Sequence, residues 1–175
     1  MSKIIAFTGS NSETSINDQL LKYTLQTSKT LKAEYIDLKV LNVPMYSSGT
    51  ENKSGIPVDI QKLRDHIDAA EALIVAVNEH NGTMSAFFKN ITDWLSRTGS
   101  YLQDKKIFLL STSPGGGGAK HSLSYTVTNF EKFGGTIVSQ FSLPSFADHF
   151  IEGELKGDYT QELKTKVESF ENKLK

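Results

Sequence analysis

A segment rich in small polar side chains near the start of the chain is the first candidate ligand site. Gly9, which lets backbone approach a ligand closely, precedes a series of short hydrogen-bond donors. These donors are Ser10, Asn11, Ser12, Thr14, Ser15 and Asn17. A helical pattern follows, and the free N–H groups of a helix N-terminus bind anions. We predict a phosphate site here; the alternative is that Ser15 simply caps the helix, with Asp18 completing the cap.

The lack of charge in this segment limits the kind of phosphate ligand that it could bind. No Lys or Arg occurs between Lys3 and Lys22, so neutral donors would hold a phosphate. Neutral donors favour a nucleotide monoester over a triphosphate bound with magnesium.

Two further polar segments each follow a later apolar run. In residues 78–83, His80 can stack on or hydrogen-bond to a ring, and Asn81, Gly82 and Thr83 can contact polar ring edges. The alternative is a solvated loop in which Thr83 caps the next helix. Residues 112–118 end in four glycines, whose backbone can lie flat against a planar ligand. The alternative for this segment is a flexible connector.

The residues present exclude several other chemistries. The chain has no cysteine, which excludes disulfides, thiolate metal sites, iron–sulfur clusters and thiol nucleophiles. The glycine run before Lys120 is not a Walker loop, because Ala119 rather than glycine precedes that lysine. The four histidines lack metal-ligand spacing, and no Gly-x-Ser-x-Gly nucleophile motif occurs. Any redox chemistry would therefore need a bound cofactor.

Five short apolar runs alternate with stretches of helical spacing. The predicted strands cover residues 4–8, 33–38, 72–77, 107–111 and 136–141. The helical patterns cover residues 16–25, 60–70, 84–95, 123–133 and 159–174. Apolar runs without period-two alternation are typical of parallel strands buried on both faces. We predict an α/β fold, a flavodoxin-like three-layer sandwich whose five-stranded parallel sheet has the order 2-1-3-4-5 and carries helices on both faces.

That strand order brings the three polar segments together. In such sheets, ligands bind beyond the carboxyl ends of the strands, beside the switch point between the first and third strands. Residues 42–57, with Pro44, Gly49 and Gly55, form the longest predicted loop.

Composition and charge limit the partners and the cellular location that we expect for the protein. Nineteen Lys and Arg against twenty Asp and Glu give a formal charge of −1, which does not favour nucleic-acid binding. No apolar run approaches the roughly 20 residues of a membrane span, and the first apolar segment turns polar at Thr8, too soon for a signal peptide. We expect one domain, residues 1–175, in a cytoplasmic protein that binds neither nucleic acid nor membrane.

The motifs resemble those of the NADPH-dependent FMN reductase family, flavodoxin-like proteins that include azoreductases, quinone reductases and chromate reductases. The resemblance covers roughly residues 3–145. The matching motifs are Gly9-Ser10 with Ser15-Ile16-Asn17, Asp37-Leu38, Val43-Pro44-Met45-Tyr46, Gly55-Ile56-Pro57, Glu79-His80-Asn81-Gly82-Thr83, Phe88-Lys89-Asn90-Ile91-Thr92-Asp93-Trp94 and Ser113-Pro114-Gly115-Gly116.

The resemblance implies bound FMN as cofactor and NADPH or NADH as co-substrate. Hydride would pass from the nicotinamide to flavin N5, then to a small acceptor such as a quinone, an azo compound, free flavin or a metal oxyanion. By this resemblance the FMN phosphate would be held by Ser10, Ser12, Ser15, Ile16 and Asn17, beside Gly9. The isoalloxazine would be held by Glu79, His80, Asn81, Gly82, Thr83, Ser113, Gly115 and Gly116. Hydride transfer to the flavin needs no acid or base, so no catalytic residue is assigned.

Three positions depart from the family pattern. Ser12 stands where many members carry Arg, Asn78 where Pro is usual, and His80 where Tyr is usual. Serine at position 12 removes a charge-assisted phosphate contact. Two alternatives stay open: an electron carrier of flavodoxin type that binds FMN without being an enzyme, and an interaction protein that has lost the cofactor. A charge of −1 does not match the acidic docking surface expected of a carrier.

The family analogy also implies an oligomer. By that analogy, the helix with Phe87, Ile91 and Trp94 would pair across a two-fold axis if these side chains exceed what one core covers. The alternative, which helical spacing favours for each of the three, is an ordinary core residue. We expect a homodimer or a tetramer.

Overall fold

Five parallel strands form the central sheet of the computed structural model, which describes residues 3–28 and 30–175. In sheet order they are β2 (Ala33–Tyr35), β1 (Ile4–Thr8), β3 (Ala72–Val77), β6 (Lys106–Thr112) and β7 (Thr136–Leu143). Counted along the chain, these strands have the order 2-1-3-4-5, so the predicted topology is confirmed. Thr8 lies opposite Ala76, and Val77 lies opposite Ser111. The carboxyl ends of β1, β3 and β6 therefore lie side by side at one edge.

Helices cover both faces of this sheet. The long helices are α1 (Ile16–Gln26), α3 (Val58–Ala69), α4 (Ala86–Ser96), α5 (Lys120–Lys132) and α7 (Asp158–Lys173). Helices α1 and α7 pack on one face, and α3, α4 and α5 pack on the other. Along β1, Ile4 and Ala6 belong to the core beneath α1 and α7, while Ile5 and Phe7 belong to the core beneath α3, α4 and α5. Every residue of β1 is buried, which explains why the run lacks period-two alternation. The predicted three-layer sandwich is confirmed.

The predicted long loop of residues 42–57 is partly helical. Helix α2 covers Ser48–Ser54, with Ser47 as its N-cap and Gly55, at φ +70°, after its end. The preceding residues pack on α4, because the Pro44 carbonyl accepts hydrogen bonds from Trp94 Nε1 at 2.8 Å and Asn90 Nδ2 at 3.0 Å. A helix of this length is too short to show apolar periodicity, so the turn residues around it dominated the prediction.

Short elements account for the other differences from the predicted boundaries. Strand β2 ends at Tyr35 instead of reaching Leu38, because Asp37 caps a 3₁₀ turn over Leu38–Val40. The first hairpin pairs β4 (Glu79–His80) with β5 (Thr83–Met84), and the second pairs β8 (Phe150–Ile151) with β9 (Glu154–Leu155). Helix α6 covers Phe146–His149. Two-residue strands and four-residue helices are too short to show a period, so the sequence pattern does not predict them.

The start of α4 also differs from the prediction. Its N-cap is Ser85, whose hydroxyl accepts from the Phe88 N–H, whereas Thr83 and Met84 belong to β5. The hairpin therefore takes the two residues that were expected to cap and begin the helix.

Met1, Ser2 and Lys29 lie outside the described residues, so the single domain of residues 1–175 stays a prediction. In the described part of the chain, no helix combines the length and the apolar character needed to span a membrane.

Gly9 follows β1 in close contact with α4. A Cβ atom at this position would lie 2.7 Å from the Phe88 ring. The Ser85 hydroxyl donates to the Gly9 carbonyl at 2.8 Å, which anchors the start of α4 on the end of β1. Packing of α4 thus requires glycine here, whatever ligand is bound.

Replacing Gly9 by alanine is expected to lower the free energy of unfolding by about 1–3 kcal/mol, because Phe88 must shift to admit the methyl group. Urea unfolding of the flavin-free protein measures this change. Gly117→Ala is the matched control, since nothing lies within 4 Å of a Cβ there. We expect it to change stability by less than about 0.5 kcal/mol. Equal stability of the two variants would contradict the proposed packing role.

Candidate functional site

A pocket opens at the edge of the sheet where β1, β3 and β6 end. Its volume is about 410 Å³, within the range of roughly 300–1,000 Å³ usual for small-molecule sites. Its lining residues are Ser10, Ser12, Thr14, Ser15, Ile16, Asn17, Asn78, Glu79, His80, Thr112, Ser113 and Pro114. All three polar segments that the sequence singled out therefore meet around one cavity.

The predicted site residues divide between the pocket wall and its surroundings. Those that line the pocket are Ser10, Ser12, Ser15, Ile16, Asn17, Glu79, His80 and Ser113. Gly9 is buried beneath α4. Asn81 and Gly82 form the turn of the first hairpin and Thr83 begins β5, all three of them exposed, and Gly115 and Gly116 are exposed beyond Pro114. Thr14, one of the donors expected in the first segment, also lines the pocket. Asn78, Thr112 and Pro114 line it too, although none was assigned to the cofactor. Their position in the sequence could have identified them, because residues just beyond the carboxyl end of a switch-point strand face the crevice.

Hydroxyl groups at alternate positions organise the first segment. The N–H of Ser10 donates to Thr8 Oγ1 at 3.4 Å, that of Ser12 to Ser10 Oγ at 3.3 Å, and that of Thr14 to Ser12 Oγ at 3.3 Å. A hydroxyl that accepts in this way keeps its own O–H available as a donor. The backbone of the segment is thus held in place while the Ser10 and Ser12 hydroxyls can still bind a ligand.

Helix α1 begins at the inner end of this segment. Ser15 Oγ accepts from the Asp18 N–H at 3.2 Å, so the predicted N-cap is confirmed. The Asp18 carboxylate does not complete the cap; it accepts from the Tyr35 hydroxyl at 2.6 Å and pairs with Lys22 at 2.8 Å. Burial and the hydrogen bond to Asp18 raise the pKa of Tyr35 well above its ordinary value, so that phenol stays a donor. Lys22 offsets the negative charge that Asp18 adds near the helix N-terminus.

Side chains at helix N-termini hydrogen-bond the ends of neighbouring strands. Ser85 caps α4, the helix that follows β3, and donates to the carbonyl of Gly9 after β1. Ser122 belongs to α5, the helix that follows β6, and donates to the carbonyl of Asn78 after β3 at 2.8 Å. Each strand end is therefore held by the helix of another strand.

Asn17 makes the third contact of this kind, so that the strands and helices hold one another in a closed cycle. It lies in α1, the helix that follows β1, and its side chain is 3% exposed. Its Nδ2 donates to the Thr112 carbonyl at 3.1 Å, and its Oδ1 accepts from the Thr112 N–H at 2.9 Å. The Asn17 side chain therefore joins the first and third segments through Oδ1 and one N–H of Nδ2. Its second Nδ2 N–H and its backbone N–H remain as donors for a ligand.

Glu79 caps α5 from the second segment. Its Oε2 accepts from the N–H groups of His121 and Ser122, each at 3.0 Å. Helix α5 has no side-chain cap of its own, because Ala119 precedes it in the left-handed region at φ +58°. A carboxylate at a helix N-terminus is stabilised by the free N–H groups and the helix dipole. The Glu79 carboxylate thus fixes the β4–β5 hairpin beside the pocket.

Hydrogen bonds anchor both ends of the glycine-rich third segment. The Gly115 carbonyl accepts from Ser113 Oγ and from the Ser145 N–H, each at 2.9 Å. The Gly118 carbonyl accepts from Ser111 Oγ at 2.7 Å and Ser142 Oγ at 2.8 Å. The intervening backbone is exposed, with anchored ends on either side.

A family model described as NADPH-dependent FMN reductase matches residues 2–148. The chain belongs to the NADPH-dependent FMN reductase family. Two relatives agree with this assignment. The chain is 31% identical to an NADPH:quinone oxidoreductase of Arabidopsis thaliana over 67% of its own length and 61% of that protein. It is 26% identical to the NADH:(hydroxy)cinnamate reductase subunit CrdA of Vibrio ruber over 69% of its length and 58% of that protein. The match thus spans less than two thirds of either relative.

A solved structure shares the fold of this FMN reductase family member. FerB, a flavoenzyme NAD(P)H:(acceptor) oxidoreductase from Paracoccus denitrificans, superposes with a TM-score of 0.78 at 21% identity. The superposition covers 98% of this chain and 96% of FerB. At this identity, the likeness shows the flavodoxin-like fold alone.

Helix α4 of this family member corrects one part of the oligomer argument. Ile91 is 1% exposed and Trp94 is fully buried, both within the core of the single chain. Ile91 and Trp94 are therefore ordinary core residues, the alternative that helical spacing favoured, and Tyr46 of the 42–47 segment packs edge-on against Trp94. Phe87 is half-buried and stays the partly accessible apolar residue of the three.

Asn17→Ala is expected to lower the free energy of unfolding by about 2–3 kcal/mol, because it leaves the N–H and C=O of Thr112 unpaired in a buried position. Urea unfolding without flavin provides the measurement. Asn11→Ala serves as the control, since Asn11 is exposed and belongs to the same segment. A similarly small loss in both variants would mean that the Asn17 bridge does not stabilise the edge.

Proposed function

We propose that this protein is an FMN-dependent NAD(P)H oxidoreductase that takes hydride from NADPH or NADH and reduces a small acceptor. The observation that carries the proposal is that the segments after β1, β3 and β6 line one pocket in a member of the NADPH-dependent FMN reductase family. The pocket lies beside the switch point between β1 and β3, where ligands of such sheets bind.

The first segment suits the phosphate of FMN. The hydroxyls of Ser10, Ser12 and Ser15 would donate to it, together with the free N–H groups at the start of α1, near Ile16 and Asn17. The pocket lining contains no Lys or Arg. Neutral donors around a helix N-terminus match one phosphate monoester better than a longer phosphate chain.

The second and third segments would flank the flavin ring. Bound FMN would supply the hydride acceptor and donor at its ring nitrogen N5. Glu79 holds the hairpin of residues 79–84 against α5, so the hairpin would present a fixed wall to the ring. Gly115 and Gly116 would direct backbone N–H groups at negative charge on the ring, beside Ser113. We assign no catalytic side chain, since the residues that line the pocket would bind and orient.

The acceptor is proposed at the level of its class. The names of the two relatives refer to a quinone and to a (hydroxy)cinnamate, so family membership alone leaves several acceptors. We propose a small molecule such as a quinone, an azo compound, free flavin or a metal oxyanion.

The homodimer, or tetramer, and the cytoplasmic location remain predictions. The most exposed large apolar side chains among the described residues are Val40, Met45 and Val58, which all lie before or at the start of α3. A monomeric mass in solution at micromolar concentration would contradict the oligomer.

The FMN-loaded protein is expected to oxidise NADPH or NADH continuously when a quinone or an azo dye is present. The decrease in nicotinamide absorbance measures this turnover. Bound FMN that is not reduced by either nicotinamide would favour the electron carrier. A purified protein that fails to take up added FMN would favour the interaction protein.

Ser12→Arg is expected to tighten FMN binding about tenfold, since a guanidinium adds a charge-assisted contact to a phosphate. Riboflavin, which lacks the phosphate, should bind the variant no better than the wild type. Quenching of flavin fluorescence measures both dissociation constants. Asn11→Arg is the matched control, because Asn11 is exposed and does not line the pocket. Equal tightening by both variants would indicate general attraction to the phosphate and contradict a specific site at Ser12.

A further inference from the structure

Asn78 lines the pocket at the end of the central strand of the three that form it. It directly follows β3, which lies between β1 and β6 in the sheet, so it separates the first and third segments. The residue is 8% exposed and lines the pocket. Its side-chain oxygen Oδ1 is buried and has no hydrogen-bond partner among the described residues.

The unpaired amide oxygen of Asn78 contrasts with the polar groups around it. The backbone carbonyl of Asn78 accepts from Ser122 Oγ, and both hydrogen-bonding atoms of the Asn17 side chain are bonded to Thr112. The other buried side-chain atoms without a partner in the described residues belong to His66, Tyr101 and Asn129, none of which lines this pocket. Buried polar atoms in folded proteins are normally hydrogen-bonded, so an exception in a pocket wall indicates a group that a ligand completes.

We propose that the Asn78 amide hydrogen-bonds a hydroxyl of the ribityl chain of FMN. This inference rests on the proposed function. The polyol chain joins the phosphate to the ring, and Asn78 lies between the segments assigned to those two parts. Rotation of the terminal amide torsion turns either the oxygen or the nitrogen toward the pocket. A hydroxyl accommodates both orientations, because it donates and accepts.

The residue type at this position makes the contact particular to this chain. Asn78 stands where the family pattern has proline, whose side chain can neither donate nor accept a hydrogen bond. The amide therefore offers a ligand contact that proline could not make, in a pocket whose phosphate segment has serine where many members have arginine.

Asn78→Leu tests the proposal, because leucine keeps the approximate volume and removes the amide. Dissociation constants for FMN, riboflavin and lumiflavin are measured by flavin fluorescence, and the thermal midpoint is measured on flavin-free protein. We expect FMN and riboflavin, which carry the ribityl chain, to bind about 5- to 20-fold more weakly, as for one lost hydrogen bond. Lumiflavin, which has a methyl group in its place, should bind within twofold of wild type. The flavin-free midpoint should be unchanged or higher, since an unpaired amide is removed.

Asn52→Leu provides the matched control, as an exposed asparagine of α2 outside the pocket wall and outside all three segments, and should leave all three dissociation constants unchanged. Wild-type affinity of Asn78→Leu for FMN and riboflavin would overturn the ribityl contact. Equal weakening for all three flavins with a midpoint lowered by several degrees would also overturn it, in favour of a structural role. Wild-type protein that binds no flavin would instead overturn the proposed function, and the ribityl contact with it.

Discussion

The backbone polar groups where β1, β3 and β6 end must find partners without a further strand to pair with. Buried N–H and C=O groups that lack a hydrogen bond are costly, so this requirement constrains the whole edge of the sheet. Three side chains meet it, and each lies at the start of a helix that follows a different strand: Ser85 holds Gly9, Ser122 holds Asn78, and Asn17 holds Thr112. The three strand–helix units are thereby joined in a closed cycle around the pocket.

This cycle separates the polar groups that maintain the fold from those that remain for a ligand. Asn17 and Glu79 line the pocket, yet Asn17 Oδ1, one N–H of Asn17 Nδ2 and Glu79 Oε2 are already hydrogen-bonded to protein backbone. The Ser10 and Ser12 hydroxyls accept from backbone and still have a proton to donate. The Asn78 amide oxygen is unpaired. A site with these properties is organised before a ligand arrives, which reduces the entropy lost on binding.

Local sequence was sufficient wherever the signal was long. The runs at residues 4–8 and 72–77 match β1 and β3 residue for residue, because strands buried on both faces must be continuously apolar. The cap at Ser15 was also predictable from its spacing to the helix. The β4–β5 hairpin was missed although Asn81-Gly82 is a common type I′ turn pair, and both residues have positive φ. Two-residue strands on either side are too short to show alternation.

Apolar periodicity was enough to predict the α/β class, and short motifs were enough to predict the three polar segments and the family. The strand order has no local signal and was expected because such alternating strands and helices commonly adopt the flavodoxin-like order. Tertiary structure alone decided what individual polar residues do. The spacing of Asn17 from Thr112, or of Glu79 from the start of α5, carries no local signal, since these partners meet only when parallel strands bring distant segments to one edge. Gly9 is required by the Phe88 ring, which lies far along the chain. The backbone carbonyl of Asn78 is bonded by Ser122, whereas its side-chain oxygen is buried without a partner among the described residues. Hydrogen bonds between residues remote in sequence follow from the packing of the whole chain. That packing decides which polar groups stabilise the fold and which remain available to a ligand.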